Sequence, residues 1–487
     1  MSKPARISKR CTVSSERLDI TGSEFFQPPQ CGPHRVTPVS GTSVDRAQRV
    51  KQRVMIDGRN LSLERGTGVA TYGRNLSYCL RDLGYHVDVL YGNRAAPGHS
   101  ELMHEIAFFD VNAGDIPLWL QRLRTLREAS VAPFGYEARR VPVTGTVITD
   151  TFKSRLPYFD AIHNCPDLYR KAHSLFGVFG FMHRVRAAPR PHLMHWTYPL
   201  PLRIPKIPNI YTLHDLVPLR LPYTTLDNKR RYFKLLKKIA KRADHIVTVS
   251  ESAKQDIMNL LKVSPDRITN TYQAISIPEK YSAKPPEVVQ REVEGTFGLE
   301  YRNYYLFWGS IEPKKNIGRI IEAYLGSGVE PPLVIVGAQA WKSEDELKLL
   351  YDDNIRSLVQ EKNVTRVKKQ VIQLSYASFP LLVSLIKGAK ATIFPSLYEG
   401  FGLPVLESMT LGTPVISATT ASIPEVAADA AILVNPYDTR EISEAIRAID
   451  ADDGLRDSLV QRGLARAELF SMDNYKSRLS AVYGKFI

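Results

Sequence analysis

The run SLYEGFGLPVLES, Ser396–Ser408, places Glu399 and Glu407 on either side of a Gly400-Phe401-Gly402 turn, with seven residues between them. The preceding ATIFPS, Ala391–Ser396, is an apolar strand pattern, and Pro404 stands where proline is well tolerated at the start of a helix. A glycine turn that opens a helix leaves backbone N–H groups unpaired and forms an anion site suited to a phosphate. Two carboxylates beside that site cannot bind the anion, but they accept well from hydroxyls. A ligand carrying phosphate between two hydroxyl-bearing rings satisfies all three parts, and a nucleotide sugar is such a ligand. A carboxylate complementing the helix dipole and a solvated loop residue would also give two glutamates at this spacing. The whole string at a strand-to-helix junction is far more specific than the pair.

These side chains need elements to hold them. The chain has 487 residues, too many for one core. RVMID (Arg53–Asp57) reads as a buried strand, Gly66–Gly84 carries apolar residues at helical spacing, and HVDVLYG (His86–Gly92) reads as the next strand. That is a βαβ unit with a right-handed crossover. NIYTLHD (Asn209–Asp215), HIVTVS (His245–Ser250) and RITNTYQAI (Arg267–Ile275) fit further strands of its sheet. A second series follows a Pro- and charge-rich linker at Ile277–Val289, with strands at Tyr304–Ser310, Pro332–Ala338, Gln370–Tyr376, Ala391–Ser396, Pro414–Ala418 and Ala431–Pro436. The fold class is α/β: two doubly wound, Rossmann-like parallel-sheet domains facing across a cleft, with ligands beyond the carboxyl ends of the strands. The domains run over 53–283 and 284–466, with a last helix over 467–487. Residues 1–52 lack any sustained period and read as a disordered extension. The less regular stretch from about 94 to 190 reads as an elaborated insertion on the first sheet.

Ile393–Asp438, IFPSLYEGFGLPVLESMTLGTPVISATTASIPEVAADAAILVNPYD, resembles the retaining GT-B glycosyltransferases, specifically glycosyltransferase family 4. The resemblance extends from about Arg53 to the last residue and is weakest between about 94 and 190. It implies that Glu399 meets the hydroxyls of the donor sugar and Glu407 the ribose, with the turn amides of Phe401, Gly402 and Leu403 facing sugar and diphosphate. FWGSIEPKKNIGRIIEAY (Phe307–Tyr324) resembles the family's second block and implies that Lys315 binds the diphosphate. Many members carry arginine after that block's glycine; here Ser310 follows Gly309, so Lys314 is the candidate for the second cation. Two adjacent lysines more often divide into one buried and one solvated. Gly66-Thr67-Gly68 resembles the family's glycine loop, and YTLHDLVP (Tyr211–Pro218) its His-Asp segment, which implies His214 in the cleft near the donor sugar and Asp215 orienting local backbone. The final helix implied by the fold crosses back onto the first domain.

The implied reaction is retaining transfer of a hexose, mannose slightly favoured over glucose, from GDP-mannose or UDP-glucose, with charge on the leaving diphosphate stabilised by Lys315, the turn amides and the helix dipole. No metal or other cofactor is expected, and Asp450–Asp452 reads as a solvated cap between helices. A soluble glycan or disaccharide synthase, a nucleotide-sugar epimerase on the same fold and a catalytically inactive binding module are the rivals. The net charge of +15 suits an anionic partner. Nucleic acid is excluded as the partner by the lack of any helix-turn-helix, RNP or zinc-finger pattern. Asn228–Ala243, NKRRYFKLLKKIAKRA, holds eight basic residues and no acid on an amphipathic helical pattern. Together with LFGVFGFMHRVR (Leu175–Arg186) it points to an anionic membrane surface and a lipid-linked or oligosaccharide acceptor. There is no apolar run of spanning length and no signal-peptide pattern, and Cys11, Cys31, Cys79 and Cys165 have no metal-ligand spacing. The expected location is the cytoplasm, peripheral at the inner face of the cytoplasmic membrane.

Overall fold

β1 (Arg53–Asp57) stands in the middle of a ten-stranded sheet, paired in parallel with β2 (His86–Tyr91) on one side and β6 (Leu193–Trp196) on the other. This is a computed structural model, describing residues 51–61, 68–94, 100–109, 135–147, 156–338, 346, 356–361 and 364–487. Beyond β6 the sheet continues with β8 (Asn209–Thr212), β9 (His245–Thr248) and β10 (Ile268–Asn270). Beyond β2 it continues with β4 (Ala161–Asn164), β3 (Tyr136–Val141), β5 (His183–Ala187) and β7 (Leu202–Arg203). The second sheet has the order β15 (Val371–Leu374), β12 (Leu333–Val336), β11 (Tyr305–Trp308), β16 (Ala391–Phe394), β17 (Val415–Ala418), β18 (Ile432–Val434), parallel throughout. Between β12 and β15 runs an antiparallel hairpin of β13 (Arg356–Glu361) and β14 (Val364–Lys369). Both main sheets are α/β, and β1, β11 and β16 are buried along nearly their whole length, as strands covered on both faces must be.

Three expectations need correction. The region from about 94 to 190 does not simply decorate the first sheet; its described part supplies β3, β4 and β5, and β3 runs antiparallel to β4. The run expected as a linker is largely helical, over Glu279–Ser282 and Pro286–Phe297, and the second helix buries Val289 and Val293. Asp450 is not a solvated cap: it lies on the helix Thr439–Ala451 and accepts from Lys390 Nζ at 2.7 Å and Tyr305 Oη at 3.1 Å, while Asp452 does cap, accepting from Leu455 N at 2.9 Å. Residues 1–50, and with them Cys11 and Cys31, lie outside the described residues, as does Gly66. Cys79 and Cys165 are buried free thiols.

The helices packed on these sheets include α1 (Gly68–Asp82), α2 (Leu168–Phe179), α3 (Lys229–Arg242), α4 (Glu251–Leu261), α5 (Leu403–Thr410) and α6 (Met472–Tyr483). α5 begins one residue after Gly402, whose φ of +103° suits glycine, and carries Pro404 in its first turn, where no N–H is missed. It buries Val405, Leu406 and Met409 against the second sheet, each stabilising by about 1.5–3 kcal/mol. α6 crosses back to the first sheet. There Tyr483 Oη lies 2.6 Å from His195 Nδ1, Lys476 pairs with Asp82 at 2.9 Å, and Met472 Sδ lies 3.1 Å from Cys79 Sγ.

Candidate active site

The loop after β16 and the 3-10 turn Pro313–Lys315 after β11 meet above the carboxyl ends of two neighbouring strands. Lys315 Nζ donates to Glu399 Oε1 at 2.6 Å, and both side chains are 12% exposed. Burial pushes the Glu399 carboxyl up, but Lys315 and Lys314 more than offset it, so it is held below the usual carboxylate range. Lys314 does not face water as one of two adjacent lysines was expected to. Its Nζ lies 3.5 Å from Glu312 Oε1, and although burial disfavours its charge, Glu399, Glu312 and Asp215 raise its pKa above the usual lysine value. Ser310 Oγ donates to Glu312 Oε1 at 3.2 Å. Two ammonium groups therefore share one nest of carboxylates, Glu399, Glu312 and Asp215.

Glu407 stands at the start of the second turn of α5, and Trp308 Nε1 donates to its Oε2 at 3.2 Å. Burial pushes its carboxyl up to about 7, against the pull of the Trp308 N–H and the Lys315 charge. The Gly-Phe-Gly turn between the glutamates is tied on one side. Ser422 Oγ donates to Glu399 O at 2.9 Å and Ser250 Oγ to Gly400 O at 2.7 Å. In a trans peptide the N–H points away from its own carbonyl, so the N–H groups of Gly400 and Phe401 are turned to the opposite side. The Phe401 ring is buried beside Tyr272 and Phe470, at centroid distances of 6.3 and 5.6 Å, which leaves only its backbone for a ligand.

The first half faces this turn with His214 and Gly68. His214 Nε2 donates to Thr197 O at 2.9 Å, since a carbonyl only accepts, and Nδ1 is thereby the acceptor nitrogen. Burial lowers the His214 pKa, so the ring is neutral, and the Tyr72 ring stands edge-on at 4.8 Å. Thr197 is held in turn: its N–H donates to buried Asp57 at the end of β1, whose carboxyl burial pushes up to about 6. Asp215 orients backbone as expected, accepting from Val217 N at 3.0 Å. Gly68 opens α1, and a Cβ there would sit 3.4 Å from Leu403 Cδ1 across the cleft. Sequence reasoning did not single out Trp308, Glu312, Asp57 or Thr197. Glu312 meets residues two positions away, Ser310 and Lys314, whereas nothing in local spacing marks Trp308 as the partner of Glu407.

The two halves touch directly at the turn. Glu425 accepts from the Glu251 and Ser252 N–H groups at the start of α4, each at 2.8 Å, and Tyr398 Oη donates to Asp256 at 2.6 Å. A Cβ on Gly400 would lie 2.9 Å from His214 O and 3.0 Å from Asp215 Oδ2. Gly400→Ala therefore forces His214 and the turn apart. Transfer should fall by more than tenfold with thermal stability changed by no more than a few degrees. Wild-type kinetics in this variant would show that the close approach is not needed.

A model of the glycosyl transferases group 1 matches residues 291–466, and one of glycosyltransferase family 4 matches residues 139–277. The chain is 32% identical over 282 residues to the O-antigen chain mannosyltransferase B of Escherichia coli, spanning 56% of this chain and 69% of that protein. The chain belongs to glycosyltransferase family 4. A second relative, the serotype-specific mannosyltransferase WbdA of Escherichia coli, is 28% identical over 270 residues, 54% of this chain but only 31% of its own length. Among solved structures, sucrose-phosphate synthase from Thermosynechococcus elongatus superposes with a TM-score of 0.58 at 16% identity, covering 89% of this chain and 99% of that one. The family-4 transferase thus has the GT-B fold, and it is a nucleotide-sugar-dependent glycosyltransferase. Among the described residues of this transferase no helix is long and apolar enough to cross a membrane.

Proposed function

We propose that the cleft transfers a mannosyl group from GDP-mannose, with retention of configuration, to a lipid-linked or growing surface-glycan acceptor at the inner face of the cytoplasmic membrane. The observation that carries this reading is the Lys315–Glu399 pair, largely withdrawn from solvent, beside Glu407, in one cleft closed by His214 from the other half. The mannosyl and surface-glycan parts are supported by the names of the O-antigen mannosyltransferases it resembles.

The donor would divide the pair. Its diphosphate takes the two ammonium groups of Lys315 and Lys314, and Glu399 turns to the sugar hydroxyls. Glu407 accepts from the ribose, with Trp308 fixing its rotamer, and His214 Nδ1 accepts from a sugar hydroxyl. The bond from the anomeric carbon to the phosphate oxygen breaks, and the bond from that carbon to the acceptor oxygen forms on the same face. The acceptor's proton passes to the departing phosphate oxygen. The lysines and the α5 N-terminus stabilise the charge that develops there, in a site from which the closed halves exclude water. Glu399 serves here as a hydrogen-bond acceptor: without ligand its carboxyl is held below the usual carboxylate range, so it meets the donor ionised and with no proton to give.

Thermal shift against GDP, UDP, ADP and TDP tests the donor. A nucleotide at about 100 times its dissociation constant stabilises by about 2.7 kcal/mol, so GDP should raise the melting temperature clearly and the others less. Stabilisation by UDP alone would overturn the GDP-mannose reading, and hydrolysis or transfer of labelled GDP-mannose identifies the sugar directly.

A further inference from the structure

α3 presents Arg230, Arg231, Lys234, Lys237, Lys238, Lys241 and Arg242 to solvent, while Leu235, Leu236, Ile239 and Ala240 pack inward. Its N-terminal half does not stand alone. The end of α2 lies beside it, and between them is a groove of about 470 Å³ lined by Gly177, Val178, Asn228, Arg230, Arg231 and Lys234. The glycines make the approach feasible. A Cβ on Gly177 would come within 2.8 Å of Arg231 Cζ, and one on Gly180, at φ +68°, would collide with Lys234 Nζ. At the rim of this cationic groove the chain exposes Val178, Phe179 and Phe181, at 75%, 56% and 38%, with the two phenylalanine rings 5.7 Å apart. Large apolar side chains held out beside a cluster of cations are costly in water and match a surface that is anionic outside and apolar beneath.

The groove also has a direction. His173, one turn before Gly177, is pushed down to about 4 by burial and by the charges of Arg59 and Arg231. Arg59 follows β1 at its carboxyl end, where its guanidinium lies 5.6 Å from the Tyr198 ring, one residue beyond Thr197 of the His214 chain. Gly58 N, at the carboxyl end of β1, donates to Tyr169 Oη near the start of α2 at 3.2 Å, so α2 runs from that end of the first sheet to the groove.

We propose that the groove between α2 and α3 seats the phosphoryl group of an anionic membrane lipid, with Val178, Phe179 and Phe181 dipping into the acyl layer, so that the open side of the cleft sits at the bilayer surface. The proposal rests on the functional reading above only in taking the acceptor to be membrane-borne. α3 has no acid from Asn228 to Ala243, and Asp227 and Asp244 flank it from outside. The cations at the groove stand at the N-terminus of α3, whose dipole also favours an anion.

Vesicle co-sedimentation of the full chain tests this, using phosphatidylcholine vesicles with and without phosphatidylglycerol. The protein should pellet only with the anionic vesicles. Each cation near such a surface contributes roughly a fivefold factor in partitioning, attenuated at high salt. Arg231→Glu with Lys234→Glu should therefore weaken binding by well over tenfold at low salt. Phe179→Ser with Phe181→Ser should weaken it at low and high salt alike. A tryptophan placed by Phe179→Trp should shift its emission to the blue on anionic vesicles. GDP stabilisation should be unchanged in every variant, which shows that each is folded and separates this proposal from the donor reading. Equal binding to both vesicle types, no binding to either, or full binding by the Arg231/Lys234 variant would overturn the proposal. Displacement of the vesicles by free inorganic phosphate at millimolar concentration would overturn the lipid source and leave a soluble phosphate as the occupant.

Discussion

Lys315→Ala is expected to lower transfer by roughly a hundred- to a thousandfold, the usual loss when one preorganised group is removed from developing negative charge. The ammonium is 12% exposed and meets Glu399 at 2.6 Å, so its charge is not dissipated in solvent. Its loss also leaves the Glu399 carboxylate with Lys314 alone, and Lys314 already answers Glu312 at 3.5 Å. Lys314→Ala should cost less, about tenfold, because it removes the outer of the two cations and leaves the Lys315 contact intact. Steady-state kcat and the nucleotide dissociation constant, measured separately, decide the matter: the fall for Lys315→Ala should lie mainly in kcat. Comparable kcat/KM in this variant and the parent would move the diphosphate site away from the turn after β11.

Most of this arrangement is legible in the residues. The β1 run and the strands at Tyr305, Leu333, Ala391 and Val415 are short, apolar and bounded by glycine or proline, and each forms within the span expected from its sequence. β5, by contrast, reads HRVRA, with buried and exposed residues alternating, because it lies toward the edge of the sheet and keeps one face toward solvent. Arginines in such a strand hide it from a search for buried runs. The same limit applies at the site. Glu399, Lys315 and Glu407 are marked by a local string, whereas Trp308 and Asp57 take their positions through partners 99 and 140 residues away. Pairing at that range leaves no trace in local spacing.

Glu407→Gln should remove a pH dependence as well as an interaction. The folded-state pKa of about 7 stands above the ordinary 4.5, so between about pH 4.5 and 7 the folded protein holds a proton here that the unfolded chain releases. This group's contribution to stability therefore falls as pH rises through that window, and the slope of melting temperature against pH should become less negative in the glutamine variant. Ribose binding runs the other way. An ionised carboxylate is the better acceptor, so nucleotide affinity should rise with pH through 7 in the parent and do so less in Glu407→Gln. Glu407→Ala should weaken nucleotide binding tenfold or more, since a hydrogen bond to a charged group is worth about 1.5–3 kcal/mol. Glu399→Ala should leave bare-nucleotide affinity intact or tighter, because it releases Lys315, while transfer falls. Isothermal titration across pH 6–8 on the three variants provides the check. Loss of nucleotide binding in Glu399→Ala, or none in Glu407→Ala, would reverse the two assignments.

The return of α6 to the first sheet has a consequence for how the chain is made. His195 is fully buried at the centre of that sheet, with Thr212 Oγ1 2.7 Å from its Nε2 and Tyr483 Oη 2.6 Å from its Nδ1. Until Tyr483 arrives, one nitrogen of that ring has no partner from α6, and the apolar faces of α1 and β1 lack the cover that Leu479 and Val482 give the same core. The half translated first can therefore complete its interior only after the last helix has left the ribosome. A ribosome-bound chain stalled before residue 472 should remain protease-sensitive in its first half, whereas release of the final turn should protect both halves together.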